Sequence, residues 1–171
     1  MERTFIPINI ALLTVSDTRT LDNDTSGKVL REGILSAGHQ LAAQQIVPDD
    51  MYQIRSIISQ WIAASDVDAV ITTGGTGLTG RDGTPEAVKV LLDKEIEGFG
   101  ELFRQISYQN IKTSTIQSRA LGGVANGTFV FCLPGSSGAC KTGWNDILKE
   151  QFDARHRPCN FIDLIPRLLE R

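Results

Sequence analysis

The chain has 171 residues, 41% hydrophobic and 22% charged, with a formal net charge of −3. These values suit a single globular domain large enough to bury a core without covalent staples. They exclude several classes: no dense Lys/Arg run marks a nucleic-acid partner, and no apolar stretch reaches the ~20 residues that span a bilayer.

Cys132, Cys140 and Cys159 form no Cys-x-x-Cys pair and are odd in number, which argues against a disulfide framework and leaves packing as their expected role. His39 and His156 stand far apart without companion ligands, so a zinc site is not expected. The segment Met1-Glu2-Arg3-Thr4-Phe5-Ile6-Pro7 carries no secretory pattern, and the chain reads as a cytoplasmic protein.

Strand-like runs alternate with helix-period segments. Residues 8–15 read as a buried strand that runs into Ser16-Asp17-Thr18-Arg19. Thr25 or Ser26 is placed to cap a helix with Val29, Leu30, Gly33, Ile34 and Ala37 on its apolar face, and Gly38 falls where a left-handed C-terminal cap is wanted. Residues 41–47 form a second strand closed by Pro48-Asp49-Asp50. Ile54, Ile57, Ile58, Trp61 and Ile62 then place a helix over residues 51–64. Residues 68–73 make a third, β-branched strand. Thr84 and Pro85 read as the N-cap and first position of a helix. Phe99, Leu102, Phe103 and Ile106 mark another helix. Asn126-Gly127 between two apolar runs predicts a hairpin. Pro134-Gly135-Ser136-Ser137 turns the chain into a last helix bearing Cys140, Trp144, Ile147 and Leu148, and both tryptophans read as core.

This β-α-β-α-β start implies a mainly parallel sheet with helices on both faces, the hairpin adding an antiparallel part at one side. Ligands of such sheets bind beyond the carboxyl ends of the strands. The loops at 16–19, 48–50, 74–82 and 134–137 therefore hold the candidate site. Gly75-x-Gly77-x-x-Gly80 matches the dinucleotide spacing, but it follows the third strand and Pro85 delays helix entry, against that assignment. No Gly-Lys-Ser/Thr follows, which excludes a Walker A loop. The loop is either a simple reversal or a backbone nest for an anion. Four glycines separated by threonines favour the nest.

Asp49 and Asp82 each suit a solvated turn or an N-cap. Their shared place at one sheet edge, beside a phosphate nest, suits Mg²⁺ instead, which takes one or two carboxylates plus phosphate oxygens. Ser16 and Asp17 either contact a ligand or only cap and turn. Ser118 and Arg119 open the hairpin, and Arg119 is either a surface residue or a bidentate phosphate clamp. The Pro134–Ser136 turn is either an ordinary strand–helix turn or a second anion site at a helix N-terminus.

Several motifs taken together resemble the MoaB/MogA molybdopterin adenylyltransferase family, more closely its MoaB branch. They are Thr14-Val15-Ser16-Asp17, Asp24-Thr25-Ser26-Gly27, Thr72 to Gly77, Arg81-Asp82-x-Thr84-Pro85-Glu86, Gly98-Phe99-Gly100-Glu101, Thr113-Ser114-Thr115, Gln117-Ser118-Arg119-Ala120, Leu133-Pro134-Gly135-Ser136 and Arg157-Pro158-Cys159-Asn160-Phe161. The resemblance implies a three-layer α/β/α fold, MogA-like, in a homo-oligomer, either a trimer or a hexamer. It implies ATP and molybdopterin as substrates, Mg²⁺ as cofactor, and other molybdenum-cofactor biosynthesis proteins as partners. It puts the catalytic, metal-holding acids at Asp49 and Asp82. Substrate contacts fall at Gly74, Gly75, Thr76, Gly77, Pro134, Gly135 and Ser136, with Ser118 and Arg119 nearby. The reaction implied is transfer of AMP from ATP to molybdopterin with release of pyrophosphate; the alternative is a non-catalytic molybdopterin carrier. One departure stands out: Gly138 occupies a position where the resemblance leads one to expect lysine.

Overall fold

The computed structural model describes residues 3–170. Among these residues six strands form one sheet in the order β2-β1-β3-β6-β5-β4. They are β1 (Asn9–Val15), β2 (Gln40–Val47), β3 (Ala69–Thr73), β4 (Lys94–Glu95), β5 (Leu121–Ala125) and β6 (Thr128–Leu133). The four strands β2, β1, β3 and β6 run parallel, and β5 lies antiparallel between β6 and β4. The hairpin falls where Asn126-Gly127 predicts it, with φ of 47° and 80° at those two residues, as a primed two-residue turn requires.

Alternation along β1 builds two cores. Ile10 and Leu12 point to one face, where they join Phe99, Phe103, Phe131, Trp144 and Phe152. Ala11, Leu13 and Val15 point to the other, with Ile54, Ile58, Trp61, Ala87 and Val88. The first face is covered by α1 (Thr25–Ser36), α4 (Glu97–Ile111) and α5 (Ser137–Gly143), the last continued by a π-helical stretch, Trp144–Leu148, and a final turn, Lys149–Gln151. The second face is covered by α2 (Met51–Ala63) and α3 (Thr84–Lys89). The result is the expected three-layer α/β fold. No helix among the described residues is long and apolar enough to cross a membrane.

Four details correct the sequence reading. The cap of α1 is Asp24, whose buried carboxylate accepts the Gly27 N–H at 2.9 Å, while Ser26 is buried inside the helix. Gly83 caps α3, so Thr84 is its first residue and Pro85 its second. Leu102 on α4 is exposed rather than core. Cys132 and Cys140 are buried, but Cys159 is exposed and does not pack.

Candidate active site

The parallel strands end almost flush: Val15 pairs with Val47, Thr14 with Thr73, and Thr73 with Leu133. Their following loops therefore emerge along one edge. After Thr73 the backbone enters the left-handed region twice, at Gly74 (φ 104°) and Gly75 (φ 66°). A Cβ on Gly74 would stand 2.2 Å from Val15 O. One on Gly75 would stand 2.3 Å from Thr84 Oγ1 and 3.0 Å from Asp49 Oδ2. Both positions thus need glycine for conformation and for close approach. Thr84 explains the tightness: its buried hydroxyl donates to Gly74 O at 3.0 Å and its N–H to Gly75 O at 3.0 Å.

The paired aspartates of the 48–50 loop divide two tasks. Asp50 caps α2, accepting the Tyr52 and Gln53 N–H groups at 3.0 and 2.9 Å. That leaves Asp49 for the glycine loop. Asp49 Oδ1 accepts the Gly83 N–H at 3.3 Å. Burial pushes its carboxyl above the usual range, and the nearby Asp82 and Asp17 charges add to the effect. Asp82 is held the other way. Hydrogen bonds from the Thr79 hydroxyl at 2.7 Å and the Thr79 N–H at 2.9 Å keep its carboxyl below the usual range. A Cβ on Gly77 would lie 2.7 Å from Asp82 Oδ2. The two acids therefore flank the loop, one against Gly75 and the other against Gly77.

The turn after β6 is fastened from beneath. Gly74 N–H donates to Leu133 O at 3.0 Å, and the Thr73 hydroxyl donates to Pro134 O at 3.0 Å. Ser136 caps α5 by accepting the Ala139 N–H at 3.1 Å. Arg19, which sequence reasoning left without a role, donates to Ser26 Oγ at 2.8 Å and to Gly135 O at 3.4 Å, tying the first loop to the last.

A cleft of about 620 Å³ opens beside these loops. Gly75, Thr76, Gly77, Asp82, Ser118, Pro134, Gly135 and Ser136 line it, and among the described residues Asp82 is the one charged side chain in the lining. Gly74 sits behind the wall, against Val15. Ser16 and Asp17 border a separate groove of about 450 Å³ beside the end of β2. Within the first loop, Ser16 Oγ accepts the Arg19 N–H at 3.2 Å, and Asp17 holds Arg81 at 2.6 and 3.0 Å. Arg119 faces away from the cleft: it donates to Gly77 O at 2.8 Å and Asp82 O at 3.1 Å and pairs with Glu86. In this conformation it braces the loop.

The cleft's far wall was not foreseen. Phe103, Ser107, Asn110 and Ile111 of α4 and Ser114 and Gln117 of the following 3-10 turn (Lys112–Gln117) supply it. A signal existed in the small and amide residues at 107 and 110, which share one face of α4 with Phe103. Gly138, Ala139 and Thr142 of α5 complete the lining.

Residues 11–154 match the family described as "Probable molybdopterin binding domain". The chain belongs to this family. It is 54% identical over 157 residues to Molybdenum cofactor biosynthesis protein B of Escherichia coli (strain K12), covering 92% of each chain. Among solved structures, that of a Molybdenum cofactor biosynthesis protein B superposes with a TM-score of 0.84 at 45% identity, over 87% of this chain and 93% of the other. The tungsten cofactor synthesizing protein MoaB from Pyrococcus furiosus superposes with a TM-score of 0.76 at 39% identity, over 85% and 93%. The match spans all four loops of the site, so the cleft, with Asp82 in its lining and Asp49 against Gly75 outside that lining, belongs to the MoaB/MogA fold.

Proposed function

We propose that this chain is an enzyme of molybdenum cofactor biosynthesis that transfers AMP from ATP to molybdopterin with release of pyrophosphate. The observation that carries the reading is the flanking of one glycine loop by two carboxylates, Asp49 against Gly75 and Asp82 against Gly77. Burial raises the Asp49 pKa, while hydrogen bonds from Thr79 lower that of Asp82.

Like charges crowding Asp49 are what a bound cation relieves. No group of three or more His, Cys, Asp and Glu among the described residues could hold a metal by itself. Asp49 and Asp82 fit Mg²⁺ because that ion completes its shell with phosphate oxygens and water. When bound it would neutralise the triphosphate and the departing pyrophosphate.

The molybdopterin phosphate forms the new bond to the α-phosphorus of ATP, and the α–β bridging bond breaks to release pyrophosphate. A phosphate monoester, with a second pKa near ~6, is already ionised at neutral pH. The site then needs no strong base, and positioning with charge neutralisation does the work. The cleft wall of Ser107, Asn110, Ser114 and Gln117 offers neutral donors and acceptors suited to a heterocycle. Free cysteines at 132, 140 and 159 suit a reducing cytoplasm.

The test measures pyrophosphate release with molybdopterin, ATP and Mg²⁺ beside a folded Asp82→Asn variant. Release that needs all three and vanishes in the variant supports the reading. Tight molybdopterin binding without release in the parent protein would replace it with a carrier.

A further inference from the structure

Arg119 follows the 3-10 turn and precedes β5. Its own N–H donates to Thr76 O at 3.2 Å. The guanidinium then spreads across the loop, with Nε on Gly77 O at 2.8 Å and Nη2 on Asp82 O at 3.1 Å. Nη1 pairs with Glu86 on the first turn of α3. One planar fork thus closes the segment from Gly77 to Asp82 at both ends.

Inside that segment the bonds are local. Asp82 N–H donates to Thr79 O at 3.0 Å, and Thr79 N–H donates back to Asp82 Oδ2 at 2.9 Å. Gly80 has open space on its outer side. The internal bonds orient the Asp82 carboxylate within the loop, and Arg119 orients the loop on the sheet.

We infer that Arg119, braced by Glu86, is a positioning residue that fixes the Asp82 carboxylate against Gly77, rather than a ligand of substrate phosphate. The Nε–Nη2 edge that would grip a phosphate is occupied by two main-chain carbonyls. An ammonium at the same place has no such fork and would reach one carbonyl at a time. The activity arm of the test rests on the adenylyl-transfer reading; the exchange arm does not.

Arg119→Gln, Arg119→Lys and Glu86→Gln are to be compared with the parent by amide hydrogen exchange without ligands, by molybdopterin binding, and by pyrophosphate release. Exchange at the Thr79 and Asp82 amides is expected to rise about tenfold in Arg119→Gln, the scale of one lost charge-assisted bond. A smaller rise is expected in Glu86→Gln. Molybdopterin affinity and the KM for ATP should move less than about threefold, while kcat falls roughly 100-fold, as for a small misplacement of a reacting group. Arg119→Lys should recover only part of that loss.

Unchanged exchange together with a raised KM or weakened molybdopterin binding would overturn the inference and make Arg119 a phosphate ligand. If Arg119→Gln fails to fold, Glu86→Gln decides, and unchanged exchange there overturns the bracing. If the parent protein releases no pyrophosphate, the adenylyl-transfer reading falls while the exchange result still decides the positioning role.

Discussion

Asp17 and Asp49 are joined by a hydrogen bond of 3.0 Å, in which the Asp49 N–H donates to Asp17 Oδ1. The same Asp17 carboxylate holds the Arg81 guanidinium. Asp17 therefore lies outside the cleft and still fixes the backbone of one of the two acids beside the glycine loop. The Arg81 guanidinium beside Asp17 keeps that carboxyl below the usual range, so Asp17 stays charged through the neutral region.

Asp49→Asn separates activity from stability. The folded Asp49 pKa is raised, so its ionisation works against the fold, and the penalty grows as pH climbs through that pKa. At pH 7.5 the variant should melt slightly higher than the parent, by about 1–3 °C, while losing pyrophosphate release. As pH falls below the unfolded carboxylate pKa near ~3.9 the penalty vanishes, and the difference in melting temperature should close. A variant that melts lower than the parent at pH 7.5 would contradict the assigned direction.

Gly75→Ala is expected to cost at least ~2 kcal/mol, from its left-handed backbone and the encounter with Thr84 and Asp49. For a chain of this length that is a melting point lower by about 4–8 °C. Gly80→Ala, where a Cβ meets nothing within 4 Å, should change stability by less than ~0.5 kcal/mol. Thermal melts of the pair check whether the loop needs glycine only at its inner turn.

Gly138→Lys is expected to fold as the parent does. A Cβ there meets open space, and replacing glycine in a helix gains several tenths of a kcal/mol. That offsets a similar cost of a cation near a helix N-terminus. The new ammonium would border a cleft whose lining has none among the described residues. Molybdopterin should bind several-fold more tightly at low salt, and the gain should shrink as salt rises. Titration at two ionic strengths measures it.

His39 is buried and accepts the Ile8 N–H through Nδ1 at 3.2 Å, while its Nε2 has no hydrogen-bond partner among the described residues. Burial lowers its pKa, with Asp153 opposing. A depressed folded pKa gives stability that is complete above the unfolded value near ~6.5 and is lost as pH falls through the folded one. The melting temperature should fall as pH drops below about 6.5. His39→Gln, which has no proton to gain, should start lower at pH 7 and show a flatter profile.

Much of the fold was legible because strands and helices announce their faces. Ile10 and Leu12 alternate with Ala11 and Leu13, and Asn126-Gly127 permits little but a tight hairpin. Caps were harder. Asp24, Thr25 and Ser26 all suit an N-cap, and the choice fell to Asp24 because its carboxylate also receives the Thr14 hydroxyl at 2.5 Å from β1. That contact joins distant parts of the chain and leaves no local trace. The same holds for Thr84, whose hydroxyl serves Gly74 rather than its own helix. Both acids beside the glycine loop could be proposed from their places after strands. Arg119 could not be oriented, since an arginine next to acids and carbonyls looks the same in sequence as one awaiting phosphate. The α4 wall was missed because serine and asparagine on a helix also describe an ordinary solvated face.

A cleft whose lining, among the described residues, has a single charge, and that negative, offers anions no cation in its wall. Encounter with a phosphorylated ligand should run at the unassisted pace of ~10⁵–10⁶ M⁻¹s⁻¹, with little dependence on salt. The cell is crowded with nucleotides, nucleic acids and sugar phosphates, all of which a cationic funnel would gather as readily as the intended molecule. A mouth without a lining cation does not hold them, because a phosphate alone finds no counter-charge in that wall. Only a ligand that also satisfies the hydroxyls and amides of the wall has reason to remain.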